Sequence, residues 1–273
     1  MKVRKLSGID LADVTMSDGV TSLVLCGEDR FEEMMETERQ DPYSDCYSCR
    51  VDDKDEARKI FFTGKERLFA VIREQAGAYA GYCAVHDITK TDWELGISLL
   101  LEMQGAGLGF SAYRQLIDAA KRAHKGGIVG KVEPDNYASL RMMMKLGAVP
   151  KGLCPATAIP ENERQHIEEE YPDLIDGNTE TLAAWFGVPP CKLLTHVLVF
   201  DLAKRSDSTT HLPLVNQRRR ISLLHKAYEG KGLLDALENA IEGFEDVLSD
   251  ALKEMIAKAR CSVDKRFAQV REV

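Results

Sequence analysis

Along the middle of the chain the spacing of apolar residues changes period several times, and each change marks a new element. Leu68-Phe69-Ala70-Val71-Ile72 is an unbroken apolar run, Glu74 to Gly77 reads as a turn, and Tyr79 to His86 is a second run. A β-hairpin is predicted there. From Trp93 to Leu101 the pattern alternates: Trp93, Leu95, Ile97, Leu99 and Leu101 share one strand face, and Glu94, Gly96 and Ser98 the other. A carboxylate and a hydroxyl on one face of an apolar strand look toward something polar. Past a glycine-rich stretch, Leu108, Ala112, Leu116, Ala119, Ala120 and Ala123 recur at helical spacing, and Gly126-Gly127 ends the helix. Ile128 to Val132 predicts a short strand. Glu133-Pro134-Asp135-Asn136 supplies turn and cap chemistry, and a helix from Tyr137 to Leu146 closes at Gly147. Upstream, Phe31 to Gln40 and Asp53 to Phe62 read as short helices. The order predicts a mixed α/β layer domain.

Beyond Gly152 this rhythm breaks. Pro155, Pro160, Pro172, Pro189 and Pro190 punctuate a stretch with one or two short helices. It sets Glu161, Glu163, Glu168, Glu169, Glu170, Asp173, Asp176 and Glu180 against Arg164. A strong strand returns from Leu193 to Leu202. The acidic stretch, residues 154–192, therefore reads as an insertion before the last strand of the same sheet. Ser206 to Thr210 reads as a linker. Leu234, Leu237, Ile241, Phe244, Leu248, Ala251 and Met255 then repeat at spacings of three and four, an a/d stripe on a helix from Leu233 to Arg260. Such a stripe packs back on the domain or pairs with a second subunit, and a homodimer is the expectation. The organisation is a domain over residues 1–205, then a linker and a C-terminal helical segment over 206–273.

Charge narrows the partners. The 273 residues carry a formal net charge of -8. Arg218-Arg219-Arg220 is the one dense basic run and reads as a solvated helix start. Neither nucleic acid nor membrane is expected as a partner, since phosphate contacts need clustered Lys and Arg. The seven cysteines form no regular framework, which suits a reducing compartment. Cys46-Tyr47-Ser48-Cys49 has the spacing of half a zinc site, but no second pair follows, so no metal is expected. No stretch is long and apolar enough to span a bilayer, and the expected location is cytoplasmic.

Chemistry concentrates in Gln104-Gly105-Ala106-Gly107-Leu108-Gly109, between the alternating strand and the helix. Glycines let a phosphate approach the backbone, and a helix N-terminus offers unpaired N–H groups with partial positive charge. Together with Glu94-Leu95-Gly96-Ile97 this stretch resembles the strand and acyl-CoA loop of the GNAT superfamily of N-acetyltransferases. The loop has the form Q/R-x-x-G-x-G/A, met by Gln104, Gly107 and Gly109. Asn136 to Gly147 is similar to the same family's N-x-x-S-x-x-x-Y-x-K-x-G helix, through Asn136, Ser139, Lys145 and Gly147. The resemblance covers Leu68 to Gly152 and extends to the strand ending at Leu202.

The resemblance implies a mixed, mostly antiparallel sheet flanked by helices, with a splayed parallel strand pair; the C-terminal helical extension lies outside it. It implies acetyl-CoA as co-substrate, with its pyrophosphate on the backbone from Gln104 to Gly109. Leu99 and Leu100 would offer backbone groups to the pantetheine, and Asn136 and Ser139 would touch the cofactor arm. The acetyl group would pass directly to a small-molecule or peptidyl amine, and the acidic insertion would favour a cationic one. Glu94 is the candidate base. Ser98 reads as a site-wall hydroxyl rather than a nucleophile, because no Asp-His pair accompanies it. Where the family pattern has Tyr to protonate the leaving thiolate, this chain has Met143. Either the thiolate leaves unprotonated, or Tyr113, His86 or His196 reaches it. The alternative function is an acyl-CoA-sensing or interaction module of weak or absent turnover.

Overall fold

The computed structural model describes residues 11, 16–41, 54–62, 64–204, 206, 212–215, 220–241 and 250–271. The Cys46–Cys49 pair, Arg218, Arg219, Phe244 and Leu248 lie outside them. The strands are β1 (Met16–Ser17), β2 (Thr21–Leu25), β3 (Arg67–Arg73), β4 (Ala78–His86), β5 (Asp92–Leu99), β6 (Gly127–Val132), β7 (Val149–Pro155) and β8 (His196–Asp201). They form one eight-stranded sheet in the order β1-β2-β3-β4-β5-β6-β8-β7. From β1 to β5 every neighbour is antiparallel, and β5 with β6 is a parallel pair. The mixed sheet follows the sequence pattern, and the parallel pair β5–β6 is what the family resemblance implies. The alternation of β1 and β2 is too short to read, and β2 leaves Val24 and Leu25 exposed. β7 was hidden by Pro150, Lys151 and Gly152, which interrupt any apolar run.

The chain divides into two compact units: residues 1–131, 141–151 and 199–210, and residues 132–140, 152–198 and 211–273. In the first unit, α1 (Phe31–Gln40) and α2 (Lys54–Phe61) pack on one face of β3 and β4. Phe31, Met34, Met35, Phe61, Leu68, Ala70 and Tyr82 form that core. Complete burial of a side chain such as Phe31 contributes roughly 2 kcal/mol. On the opposite face lies α3 (Leu108–Ala123), whose inward positions Leu108, Ala112, Leu116, Ala119 and Ala120 are buried at the predicted spacing. Small residues along this face let the helix sit close to the sheet. Trp93 at the start of β5 stacks on His124, which ends α3, with ring centroids 4.2 Å apart.

The second unit holds α5 (Glu161–Glu170), α6 (Gly177–Phe186), α7 (Arg220–Ile241) and α8 (Asp250–Arg271); α4 (Tyr137–Leu146) starts in this unit and ends in the first. The expected single helix from Leu233 to Arg260 is corrected: α7 and α8 run antiparallel. Arg220 Nε donates to the Val270 carbonyl at 3.1 Å and Arg266 Nη1 to the Lys226 carbonyl at 3.3 Å, which one continuous helix could not allow. The heptad stripe is correspondingly broken. Leu234 is buried, whereas Leu237 and Met255 are exposed.

The acidic insertion is met by cations of its own unit. Glu163 pairs with Lys231 at 3.6 Å, Glu168 with Lys192 at 2.8 Å, Asp173 with Arg220 at 2.6 Å, and Glu170 with Arg271. Asp176 caps α6 by accepting from the Thr179 N–H at 2.8 Å. Much of the negative charge therefore holds α5 and its following turn to α7 and α8. Among the described residues no helix is long and apolar enough to cross a membrane.

Candidate functional site

The glycine turn after β5 forms where three local constraints meet. Gly105 and Gly107 have φ of 78° and 81°, a left-handed conformation that L side chains rarely adopt. A Cβ at either would find nothing within 4 Å, so the backbone here is bare. Gly107 is the N-cap of α3 and brings no side-chain cap, and the first turn of α3 contains no acidic residue. Its leading N–H groups are thus left to a ligand or to water, at the positive end of a 16-residue helix. The Lys145 ammonium lies 4.2 Å from the centre of the Phe110 ring, in that same first turn, and adds positive charge. This arrangement fits a diphosphate.

The strand pair opens beside the turn. Pairing of β5 with β6 ends at Leu95 and Gly130. The Tyr113 hydroxyl donates to the Leu95 carbonyl at 2.8 Å and occupies the point of divergence. A Cβ on Gly130 would stand 2.9 Å from Tyr113 Oη and 3.0 Å from Met143 Cε, so glycine is what permits this approach. Farther along β5, the Leu100 N–H bonds to the Ala80 carbonyl of β4 at 3.0 Å. By alternation Leu99 and Ile97 direct their backbone groups to the splayed side. Gln104 Nε2 donates to the Leu99 carbonyl at 3.1 Å, which ties the turn to the strand end. Of the two predicted backbone positions Leu99 therefore faces the opening, whereas the Leu100 N–H is committed to β4.

On the polar face of β5 three groups stand in a row. Glu94 Oε2 is 2.6 Å from Lys131 Nζ. His86, opposite Glu94 in β4, lies over Gly96, where its Nε2 would be 2.7 Å from an added Cβ. Ser98 donates to the Asp41 carboxylate at the end of α1, and its strand neighbour Tyr82 donates to Glu38 of α1. Ser98 is thus a wall hydroxyl that anchors α1.

Residues 27–149 match the family model described as the acetyltransferase (GNAT) domain. Over that stretch the chain is similar to GNAT acetyltransferases. No curated protein sequence matches it. Among solved structures it is similar to RimL, a ribosomal L7/L12 alpha-N-protein acetyltransferase in complex with coenzyme A. Identity there is 14%, the TM-score is 0.49, and the match covers 70% of this chain and 100% of that one. A ribosomal-protein-S5-alanine acetyltransferase from Vibrio fischeri gives 14% identity and a TM-score of 0.44, covering 73% and 100%. A spermidine N-acetyltransferase from Vibrio cholerae in complex with CoA and spermine gives 16% and 0.42, covering 51% and 86%.

Within the matched stretch Met143 is 2% exposed, and its methyl packs under Gly130 beside Tyr113. The Tyr113 hydroxyl is fully buried, and burial pushes its pKa up. It is engaged with a carbonyl and holds its proton, so it is not placed as a donor. His196 lies in the second unit with Nδ1 3.0 Å from the Lys192 carbonyl, and burial lowers its pKa. His86 is the one of the three alternatives on the polar face of β5. Asn136 and Ser139 are in the second unit, where Asn136 Oδ1 accepts the Ser139 N–H at 3.1 Å and caps α4. Sequence reasoning did not assign Gly130, Asp41 or Lys145 to the site. A lone glycine inside a strand was the signal for Gly130, and Lys145 stood inside the helix motif; Asp41 had none.

Proposed function

We propose that the protein transfers an acetyl group from acetyl-CoA directly to the primary amine of a small molecule or peptide. The observation that carries this reading is the bare, uncapped start of α3 at Gly107, placed beside two strands that part at Leu95 and Gly130. Backbone N–H groups from Gly105 to Gly109 bind the pyrophosphate, the Gln104 N–H being held by the Leu101 carbonyl, and Lys145 adds charge near it. Leu99 offers its backbone to the pantetheine. The family resemblance assigns Asn136 and Ser139 to the cofactor arm.

The uncharged amine nitrogen bonds to the thioester carbonyl carbon, the C–S bond breaks, and sulfur leaves as thiolate. Glu94, oriented by Lys131, takes the amine proton through water. Buried Met143 has no proton to give. The modest basicity of a thiolate lets it depart without one.

The test is thiol release from acetyl-CoA with a panel of diamines, aminoacyl peptides and neutral primary amines. Amine-dependent CoA release is expected. Absence of turnover across the panel, with the cofactor bound, would overturn the transferase reading.

A further inference from the structure

Outside the GNAT match, α7 presents two buried polar side chains, one turn apart, to the turn that launches α4. Ser222 donates its N–H at 3.0 Å and its hydroxyl at 3.1 Å to Asp135 Oδ2. That N–H stands two residues into α7 as described, and a carboxylate suits the positive end of a helix. His225 stands three residues on and faces the same way. Its Nε2 lies 2.9 Å from the Leu194 carbonyl and its Nδ1 2.9 Å from Glu133 Oε2. A carbonyl only accepts, so Nε2 carries a hydrogen and Nδ1 meets the carboxylate as a charge contact. Burial opposes the charged imidazole, but Glu133, the Leu194 carbonyl and Asp135 together outweigh it and raise the His225 pKa. Ser222, His225 and Asp135 are all buried.

Glu133 and Asp135 flank Pro134, so the turn is gripped on both sides of its stiffest residue. Asn136 follows directly, caps α4 through the Ser139 N–H, and receives the Leu140 N–H on its carbonyl at 2.9 Å. We propose that Ser222 and His225 are positioning residues, by which the C-terminal helix fixes the Glu133–Asn136 turn and thereby the Asn136 and Ser139 donors. The consequence for the cofactor rests on the acetyl-CoA reading above; the effect on the turn does not.

The full chain is compared with Ser222→Ala, His225→Leu and the conservative Ser222→Thr. Two readouts are taken: amide hydrogen exchange at Ser139 and Leu140, and acetyl-CoA affinity by calorimetry. Exchange at both amides is expected to quicken about tenfold in the Ala and Leu variants, with β3 to β5 unchanged and the Thr variant like wild type. Acetyl-CoA affinity falls roughly tenfold in the same two variants, while the KM for the amine stays constant. Unchanged exchange at Ser139 and Leu140, or a uniform rise across the protein, would overturn the positioning role. So would local loosening with full cofactor affinity. Local loosening in a protein whose wild type binds no acetyl-CoA upholds the grip on the turn and overturns the cofactor reading instead. Should His225→Leu fail to fold, Ser222→Ala removes a single hydroxyl and decides the matter.

Discussion

Tyr113 donates its hydroxyl hydrogen to the carbonyl of Leu95 at the last rung of the β5–β6 ladder. A parallel pair that parts leaves a backbone acceptor without a strand partner inside the core, and this hydroxyl answers it. Tyr113→Phe should therefore lower unfolding free energy by about 1–3 kcal/mol, read by urea denaturation. Because the hydroxyl is engaged there, the alkaline limb of the rate profile should not move. A shifted limb would make Tyr113 the acid for the leaving thiolate.

Glu94 and Lys131 lie 2.6 Å apart on the polar side of β5 and β6. If Glu94 accepts the amine proton, Glu94→Gln should cut kcat roughly a hundredfold and leave the KM for acetyl-CoA near its original value. Steady-state kinetics with both substrates varied checks this. An unchanged kcat would move the base to His86 beside it.

Asp135 is almost wholly buried, and burial raises its pKa to about 6 despite the Ser222 N–H and hydroxyl. Glu133 raises it further and His225 opposes. A carboxyl raised in the folded state favours folding when protonated, so its contribution is full below pH 3.8 and lost as pH rises through about 6. Relative to Asp135→Asn, which does not titrate, the wild type should gain about 1 kcal/mol on going from pH 8 to pH 5. Paired unfolding curves at the two pH values measure the difference. A constant offset would contradict the burial of this carboxyl.

Arg220 forks between two segments: Nε to the Val270 carbonyl at 3.1 Å, Nη1 to the Asp173 carbonyl at 3.1 Å, and Nη2 to the Asp173 carboxylate at 2.6 Å. The carboxylate is half-exposed and contributes little, so the two backbone contacts carry most of the effect. Arg220→Lys, which cannot span three acceptors, should cost about 1–2 kcal/mol in thermal unfolding. Asp173→Asn should cost less than half of that. Equal losses would assign the stabilisation to charge instead.

Much of this was legible in the order of residues. Alternation from Trp93 to Leu99 located β5 and its polar face, and the spacing after Leu108 located α3 and its buried side. Glycine at 107 announced the turn, since its φ of 81° suits few other residues. What could not be read depends on partners distant in sequence. Nothing near Met143 shows that its methyl sits under Gly130, and nothing near Ser222 names Asp135. The acids of the insertion looked like a field for a cationic substrate, because Arg220, Lys231 and Arg271 are contributed from elsewhere in the chain and Lys192 stands at the insertion's far end. The apolar stripe from Leu234 to Met255 looked continuous, although α7 and α8 turn back on each other.

The most direct measurement is calorimetric titration of acetyl-CoA into the wild type, Gly107→Ala and Gly107→Glu. Alanine adds left-handed strain of about 1 kcal/mol but meets no atom within 4 Å, so it should fold and still bind. Glutamate sets a negative charge where the diphosphate rests, and binding should vanish from an otherwise folded protein. Undiminished affinity in Gly107→Glu would contradict the account at its root.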